Sequence, residues 1–211
     1  PTTPVDKWKI TGKSVRKVNG QSFITGQHKY VSDMKLPGML YGKVLRAPAY
    51  GAVLEKADTS KAKEIEGVTV VEDREFIGVA APTLFRANRA LKAIDANWKT
   101  QPQPSRTEIF AWLKDKAENK DSNSRSVMAA FRQSPHQVEK TILVDYIAHA
   151  PLEPRAGLAK WDGDDLTVWT GTQRPFGVQE DLAEVFNMSK DKIRVIQPDT
   201  GSGYGGKHTG E

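Results

Sequence analysis

The densest chemical signal in this 211-residue sequence is the run Gly201-Ser202-Gly203-Tyr204-Gly205-Gly206-Lys207-His208. Glycine tolerates positive φ and lets backbone come close to a ligand. Four glycines in six residues therefore predict a loop that presents amide N–H groups to something anionic. Two general motifs overlap this loop. Gly201, Gly206 and Lys207 fit the P-loop spacing, but His208 stands where a hydroxyl should reach Mg²⁺. Gly201, Gly203 and Gly206 fit the dinucleotide pattern G-x-G-x-x-G. The acidic ribose partner of that pattern, expected about 20 residues later, falls beyond residue 211. Neither motif is complete.

His149 and Glu153 invite an acid–base or metal reading. Pro151 and Pro154 favour an extended stretch here, so the two side chains need not converge, and the spacing supports no metal site. Both are read as structural residues. The absence of cysteine excludes disulfides, thiolate metal sites and iron–sulfur ligation within the chain.

Several elements must position the loop. Ile193-Arg194-Val195-Ile196 predicts a strand leading into it through Pro198-Asp199. A helix is expected from about Arg174 to Asn187, with Phe176, Leu182, Val185 and Phe186 on one side. Leu158 to Trp161 and Leu166 to Trp169 flank Asp162-Gly163-Asp164 as a hairpin, and Val138 to Ile147 reads as a long strand. Earlier, Met39 to Arg46 predicts a strand and Asp58 to Ile65 a short helix closed by Gly67. Val68 to Val71 and Phe76 to Ala80 predict further strands. Thr83 caps a helix carrying Leu84, Ala87, Leu91 and Ile94, and Trp98 closes a last strand. The order strand–helix–strand–strand–helix–strand suggests a small α/β unit. Gln101-Pro102-Gln103-Pro104 reads as a linker, and Ser105 with Glu108 as a capping box for a helix bearing Ile109, Trp112 and Leu113. Lys120 to Ser126 reads as a loop.

Residues 201–211, GSGYGGKHTGE, resemble the G-x-G-[FY]-G-G-K loop of the xanthine dehydrogenase/aldehyde oxidase family of molybdenum hydroxylases. Thr170-Gly171-Thr172-Gln173-Arg174-Pro175-Phe176 resembles that family's Thr-Gln segment, and Ala148 to Pro154 its run before the hairpin. Residues 12–99 resemble the hammerhead domain of the same large subunit, above all Leu36-Pro37-Gly38-Met39-Leu40 and Leu45-Arg46-Ala47-Pro48. Within the family the combination is most similar to the isoquinoline oxidoreductase β-subunit type.

The resemblance implies an α+β chain. A hammerhead-like α/β domain over 1–100 is followed by the first part of a molybdopterin-binding α+β domain over 105–211. It implies a molybdenum–pterin cofactor, with the cytosine dinucleotide form as one option. It also implies hydroxylation, with water, of a carbon in an N-heteroaromatic ring or an aldehyde. Gln173 would set its carboxamide beside a molybdenum oxo ligand, and Gly203, Tyr204, Gly205 and Gly206 would approach the cofactor through backbone N–H groups. His208 replaces the Glu of the purine-oxidising branch and would line the substrate pocket. The family's catalytic Glu belongs to a distal part of the subunit, so no residue here is assigned a catalytic role and none a metal ligand. The 211 residues alone are expected to be inactive. The implied partners are the remainder of the large subunit and a small iron–sulfur subunit, and the resemblance leans toward the bacterial periplasm without fixing the compartment. A nucleotide- or phosphate-binding module with no catalysis is the alternative.

Charge is uneven: residues 1–100 carry 17 Lys/Arg against 10 Asp/Glu, and residues 101–211 carry 14 against 16. The basic residues are scattered without interleaved aromatics, so protein contacts are expected rather than nucleic acid. The longest apolar runs, such as Ile142 to Val144, are far too short to span a bilayer. No secretory segment or initiator Met opens the sequence, and both ends read as boundaries within a larger protein.

Overall fold

The run Phe76–Ala81 carries Ile77, Val79 and Ala81 at alternate positions, which a strand directs to one face, and all three are buried. In the computed structural model, which describes residues 2–118 and 125–208, this run is the central strand of one sheet. The elements run α1 (Gly20–Ile24), β1 (Tyr41–Val44), β2 (Val53–Asp58), α2 (Ser60–Lys63), β3 (Thr69–Asp73), β4 (Phe76–Ala81) and α3 (Leu84–Ala93). They continue with β5 (Asp95–Lys99), α4 (Ile109–Lys116), α5 (Arg125–Gln133), β6 (Gly157–Asp162), β7 (Asp165–Thr170), α6 (Pro175–Val185) and β8 (Ile193–Ile196). Helix and strand are mixed along the chain, as the sequence predicts. No described helix is long and apolar enough to cross a membrane.

Contacts divide the chain into residues 36–146 and a second unit that joins residues 1–35 to 147–211. This differs from the expected division at the proline linker. The reason lies in the first 35 residues, where Phe23 stacks on His28 at 3.9 Å and His28 meets Tyr30 edge-on at 4.9 Å. His28 also faces Asp199 at 3.7 Å, so an aromatic cluster ties this segment to the C-terminal part of the chain.

In the unit of residues 36–146, β4 pairs antiparallel with both β1 and β3, and β2 pairs with β5 through a bulge between Leu54 and Lys56. Helix α3 begins where Thr83 accepts the N–H of Arg86 at 3.2 Å. It packs Ala87 and Ala90 into a core with Ala62, Ile77, Val79, Ala81 and Ile94. Strand β2 adds to the expected elements. Its Val53-Leu54-Glu55-Lys56-Ala57-Asp58 has too few apolar residues to signal a strand, and pairing with β5 forms it. At α4, Glu108 reaches back to the N–H of Ser105 at 3.0 Å and its hydroxyl at 2.6 Å, which is the expected cap.

The expected long strand from Val138 to Ile147 is not formed. The segment carries no strand assignment, and Val138, Ile142, Val144 and Tyr146 are between 70% and 86% exposed. A strand exists only through a partner's ladder, and apolar alternation alone does not supply one. The expected loop at Lys120 to Ser126 falls mostly outside the described residues, and α5 begins at its end with Arg125.

In the other unit, β6 and β7 form the predicted hairpin, with Gly163 at φ 59° in the turn. Strand β8 lies parallel to β7, from Leu166 opposite Ile193 to Trp169 opposite Ile196. Parallel neighbours need a crossover, and α6 provides it, opening with Pro175 and followed by Asn187 in the left-handed region. Leu166, Val168 and Ile193 form the core, with Leu182, Ala183 and Met188 packed against it. The expected apolar face of α6 is corrected in part. Leu182 turns inward, but Phe176 is 80% and Val185 75% exposed, because the covered stripe runs through Gly177, Leu182 and Ala183.

Candidate cofactor-binding site

Strands β7 and β8 run in the same direction, so the segments leaving their C-terminal ends meet at one edge of the sheet. Ligand sites of α/β units form at such edges. Here Gly171-Thr172-Gln173 leaves β7, and Pro198 to His208 follows β8. Three hydrogen bonds strap the two segments together. The N–H of Gln173 donates to the carbonyl of Lys207 at 2.8 Å, the buried Thr172 hydroxyl donates to the same carbonyl at 3.3 Å, and the N–H of Gly205 donates to Oε1 of Gln173 at 2.8 Å.

That last bond orients the carboxamide. A backbone N–H can only donate, so the side-chain oxygen must face Gly205 and the NH₂ group lies on the other side. Gln173 is exposed, and beside it Tyr204 sits at φ 53° with 70% of its surface exposed. The loop tip and an amide donor therefore share one surface.

The glycines of the loop also make room for neighbouring side chains. A Cβ on Gly203 would lie 2.6 Å from Oε1 of Gln173, one on Gly206 2.9 Å from Cβ of His149, and one on Gly201 2.8 Å from Cβ of Glu153. The glycines thus admit protein side chains to the backbone. Two of the amides expected to meet a cofactor also have partners within the protein, Gly205 with Gln173 and Gly206 with the carbonyl of Gly203 at 2.8 Å.

The segment 149–155, whose His149 and Glu153 are read from the sequence as structural residues, forms the loop's inner wall. Glu153 accepts from the N–H of Gly201 at 2.9 Å and from Nζ of Lys207 at 2.5 Å. Both side chains are buried, Glu153 at 7% and Lys207 at 1% exposure. The N–H of Leu152 donates to Oγ of Ser202 at 3.1 Å, and Arg155 donates to the carbonyl of Gly206. His149 lies against Gly205 and Gly206. Sequence spacing does not reveal these partners, because Glu153 and Lys207 are 54 residues apart. The one signal in the sequence is the family resemblance carried by Ala148 to Pro154 and by the loop that ends in Lys207.

His208 is exposed, and its carbonyl accepts from Arg174 at 3.3 Å. A cavity of about 220 Å³ lies beside β7 and α6, lined by Val168, Thr170, Val178, Asp181, Leu182 and Lys207. Gln173, Tyr204 and His208 are not among its lining residues. Among the described residues no group of three or more His, Cys, Asp or Glu could hold a metal ion.

The P-loop alternative fails on this geometry. A phosphate-binding lysine must reach outward, whereas Lys207 is 3% exposed with its ammonium on Glu153.

Residues 113–211 match the family described as the molybdopterin cofactor-binding domain. The chain is 28% identical over 95% of its length to the nicotinate dehydrogenase large molybdopterin subunit of Eubacterium barkeri, of which it covers 56%. It is 24% identical over 94% of its length to the beta subunit of isoquinoline 1-oxidoreductase of Brevundimonas diminuta, covering 27% of that protein. Its fold is similar to that of quinoline 2-oxidoreductase from Pseudomonas putida 86, with a TM-score of 0.75 and 22% identity over 93% of this chain and 31% of that one. The chain thus spans only part of the length of the relatives it matches. The loop and the strand ends around it lie within the residues that match this family. The chain is thus similar to molybdopterin-bearing large subunits of oxidoreductases.

Proposed function

We propose that this chain supplies one wall of a molybdenum–pterin site in a hydroxylase that oxidises a carbon of an N-heteroaromatic or aldehyde substrate with oxygen from water. The observation that carries the reading is the bond from the Gly205 N–H to Oε1 of Gln173. It holds the carboxamide so that a neutral N–H donor is presented beside the loop tip. The donor set fits the group, since a neutral amide can serve an oxo ligand without adding charge next to the metal. When bound, the cofactor accepts the two electrons removed from the substrate carbon.

The residues of this chain would bind and orient. Gln173 donates to a cofactor oxygen, and Tyr204 with its N–H approaches from the loop tip. His208 lines the substrate side, where it can donate or accept one hydrogen bond. The pterin is proposed in its cytosine dinucleotide form. The proposed partners are further polypeptide of the large subunit and a small iron–sulfur subunit, with the basic residues of the first half serving protein contacts. Hammerhead-like and cofactor-binding parts remain the proposed organisation, and the periplasm the proposed compartment.

The test is Gln173→Ala in the holoenzyme, with molybdenum quantified and steady-state kinetics measured. Loss of one preorganised donor costs about 10²–10³ in rate, so kcat should fall by that order while KM changes little. Wild-type kcat at full molybdenum occupancy would remove Gln173 from the site.

A further inference from the structure

We propose that Glu153 is the positioning residue of the glycine loop. Its carboxylate holds both ends of the loop and so sets the tip against Gln173. The consequence for turnover rests on the cofactor reading above, but the positioning itself does not.

One oxygen of Glu153 takes the N–H of Gly201, where the loop opens, and the ammonium of Lys207, where it closes. These ends are separated in the chain by the whole glycine run, yet a single carboxylate brings them together. Two glycines make room for it. A Cβ on Gly201 would collide with Cβ of Glu153 at 2.8 Å, and one on Gly171 would press on Oε2 of Glu153 at 3.3 Å and Nζ of Lys207 at 3.5 Å. Neighbours on the same run reinforce the hold, Leu152 at Ser202 and Arg155 at Gly206.

A buried ion pair is weak evidence for net stability, because desolvation offsets the attraction. Its worth lies in geometry. The carbonyl of Lys207 receives Thr172 and Gln173, so fixing the Lys207 side chain also fixes where the end of β7 meets the loop. The bond between Gly205 and Gln173 depends on that meeting. Glu153 thus acts on the tip without touching it.

The test uses residue-resolved amide exchange on the 211-residue chain. In Glu153→Gln the new amide can still accept from Gly201, but the charge on Lys207 loses its partner. The amides of Gly205 and Gly206 bond to Gln173 and Gly203, not to Glu153. If Glu153 positions the tip, both should exchange about tenfold faster or more, while the amides of β7 and β8 keep wild-type protection. A bond of purely local importance would move Gly201 alone, and a general loss of stability would move β7 and β8 in parallel. Either result overturns the proposal. Should Glu153→Gln not fold, the double variant Glu153→Gln/Lys207→Met removes both charges and is read at the same amides with the same expectation. Failure of both variants to fold would show that the pair supports the whole unit and would likewise overturn the assignment. In the holoenzyme, Glu153→Gln should lower kcat with molybdenum retained. Selective loop exchange with unchanged kcat at full molybdenum would leave the positioning standing and sink the cofactor reading instead.

Discussion

Oε1 of Gln173 accepts the backbone N–H of Gly205 at 2.8 Å, so the side chain that faces the loop is held by the loop itself. In the proposed site the two halves of the carboxamide would have separate tasks: the oxygen orders the tip, and the NH₂ group would serve the cofactor. Gln173→Glu separates these tasks. A carboxylate still accepts from Gly205 but donates nothing and adds charge. Exchange at Gly205 should stay near wild type, while holoenzyme kcat falls about 10²-fold or more, as for other lost transition-state donors. Retained turnover would mean that only the acceptor end matters.

The close approaches at the glycines predict steric sensitivity. Gly203→Ala and Gly206→Ala place a methyl group 2.6 Å from Gln173 and 2.9 Å from His149, distances that neighbouring atoms must relieve by moving. Overpacking of this kind costs about 1–3 kcal/mol. Gly42→Ala is the control, since nothing lies within 4 Å of its Cβ position and its strand conformation suits alanine. Thermal unfolding of the three variants should show two losses and one neutral or slightly stabilising change.

The corrected face of α6 gives a further contrast. Leu166 is 2% exposed in the small core beneath the helix, so Leu166→Ala should cost about 2–5 kcal/mol. Phe176, which periodicity assigns to the same apolar side as Leu182, is 80% exposed, and Phe176→Ala should change stability by less than about 0.5 kcal/mol. Denaturant unfolding decides between the observed helix orientation and the one expected from periodicity.

Acid should weaken one identifiable contact. The hydrogen bond from Lys63, then that from Thr59, holds the Glu72 carboxyl below its ordinary pKa. The bonds measure 2.6 Å and 2.8 Å. A folded-state pKa below the unfolded one means that the stabilisation is fully present above the unfolded pKa and is lost as pH falls through the folded one. The Tm difference between the wild type and Glu72→Gln should therefore be constant near neutrality and close in acid. A difference that persists below the folded pKa would point to packing as its origin.

His208 offers a test of substrate rather than cofactor contact. Its side chain is exposed while its carbonyl is bonded to Arg174, so His208→Ala removes the imidazole without loosening that link. In the holoenzyme KM should rise and substrate preference change, with molybdenum content intact. A fall in molybdenum would place His208 on the cofactor side.

Much of this protein is legible in local chemistry. Thr83 and the Ser105–Glu108 pair announce helix starts because caps satisfy orphaned N–H groups within a few residues. The turn at Gly163 needs only a residue that accepts positive φ, and the glycine density marks a candidate ligand loop, whereas Gln173 is singled out only by the family resemblance. What depends on distant partners cannot be read this way. Val138 to Ile147 alternates like a strand and stays unpaired, whereas Val53 to Asp58 shows little pattern and becomes a strand because β5 lies beside it. Phe176 matches a helical period but faces solvent, since the position of the sheet decides which stripe is covered. Glu153 lies in a run that resembles the family, but its proposed positioning role comes from a carboxylate, a lysine and a glycine brought within hydrogen-bond distance across 48 to 54 residues. The sequence by itself determined which segments could meet a cofactor. Only the tertiary structure decided what holds them in place, because long-range contacts are set by how strands and loops converge and leave no periodic trace along the chain.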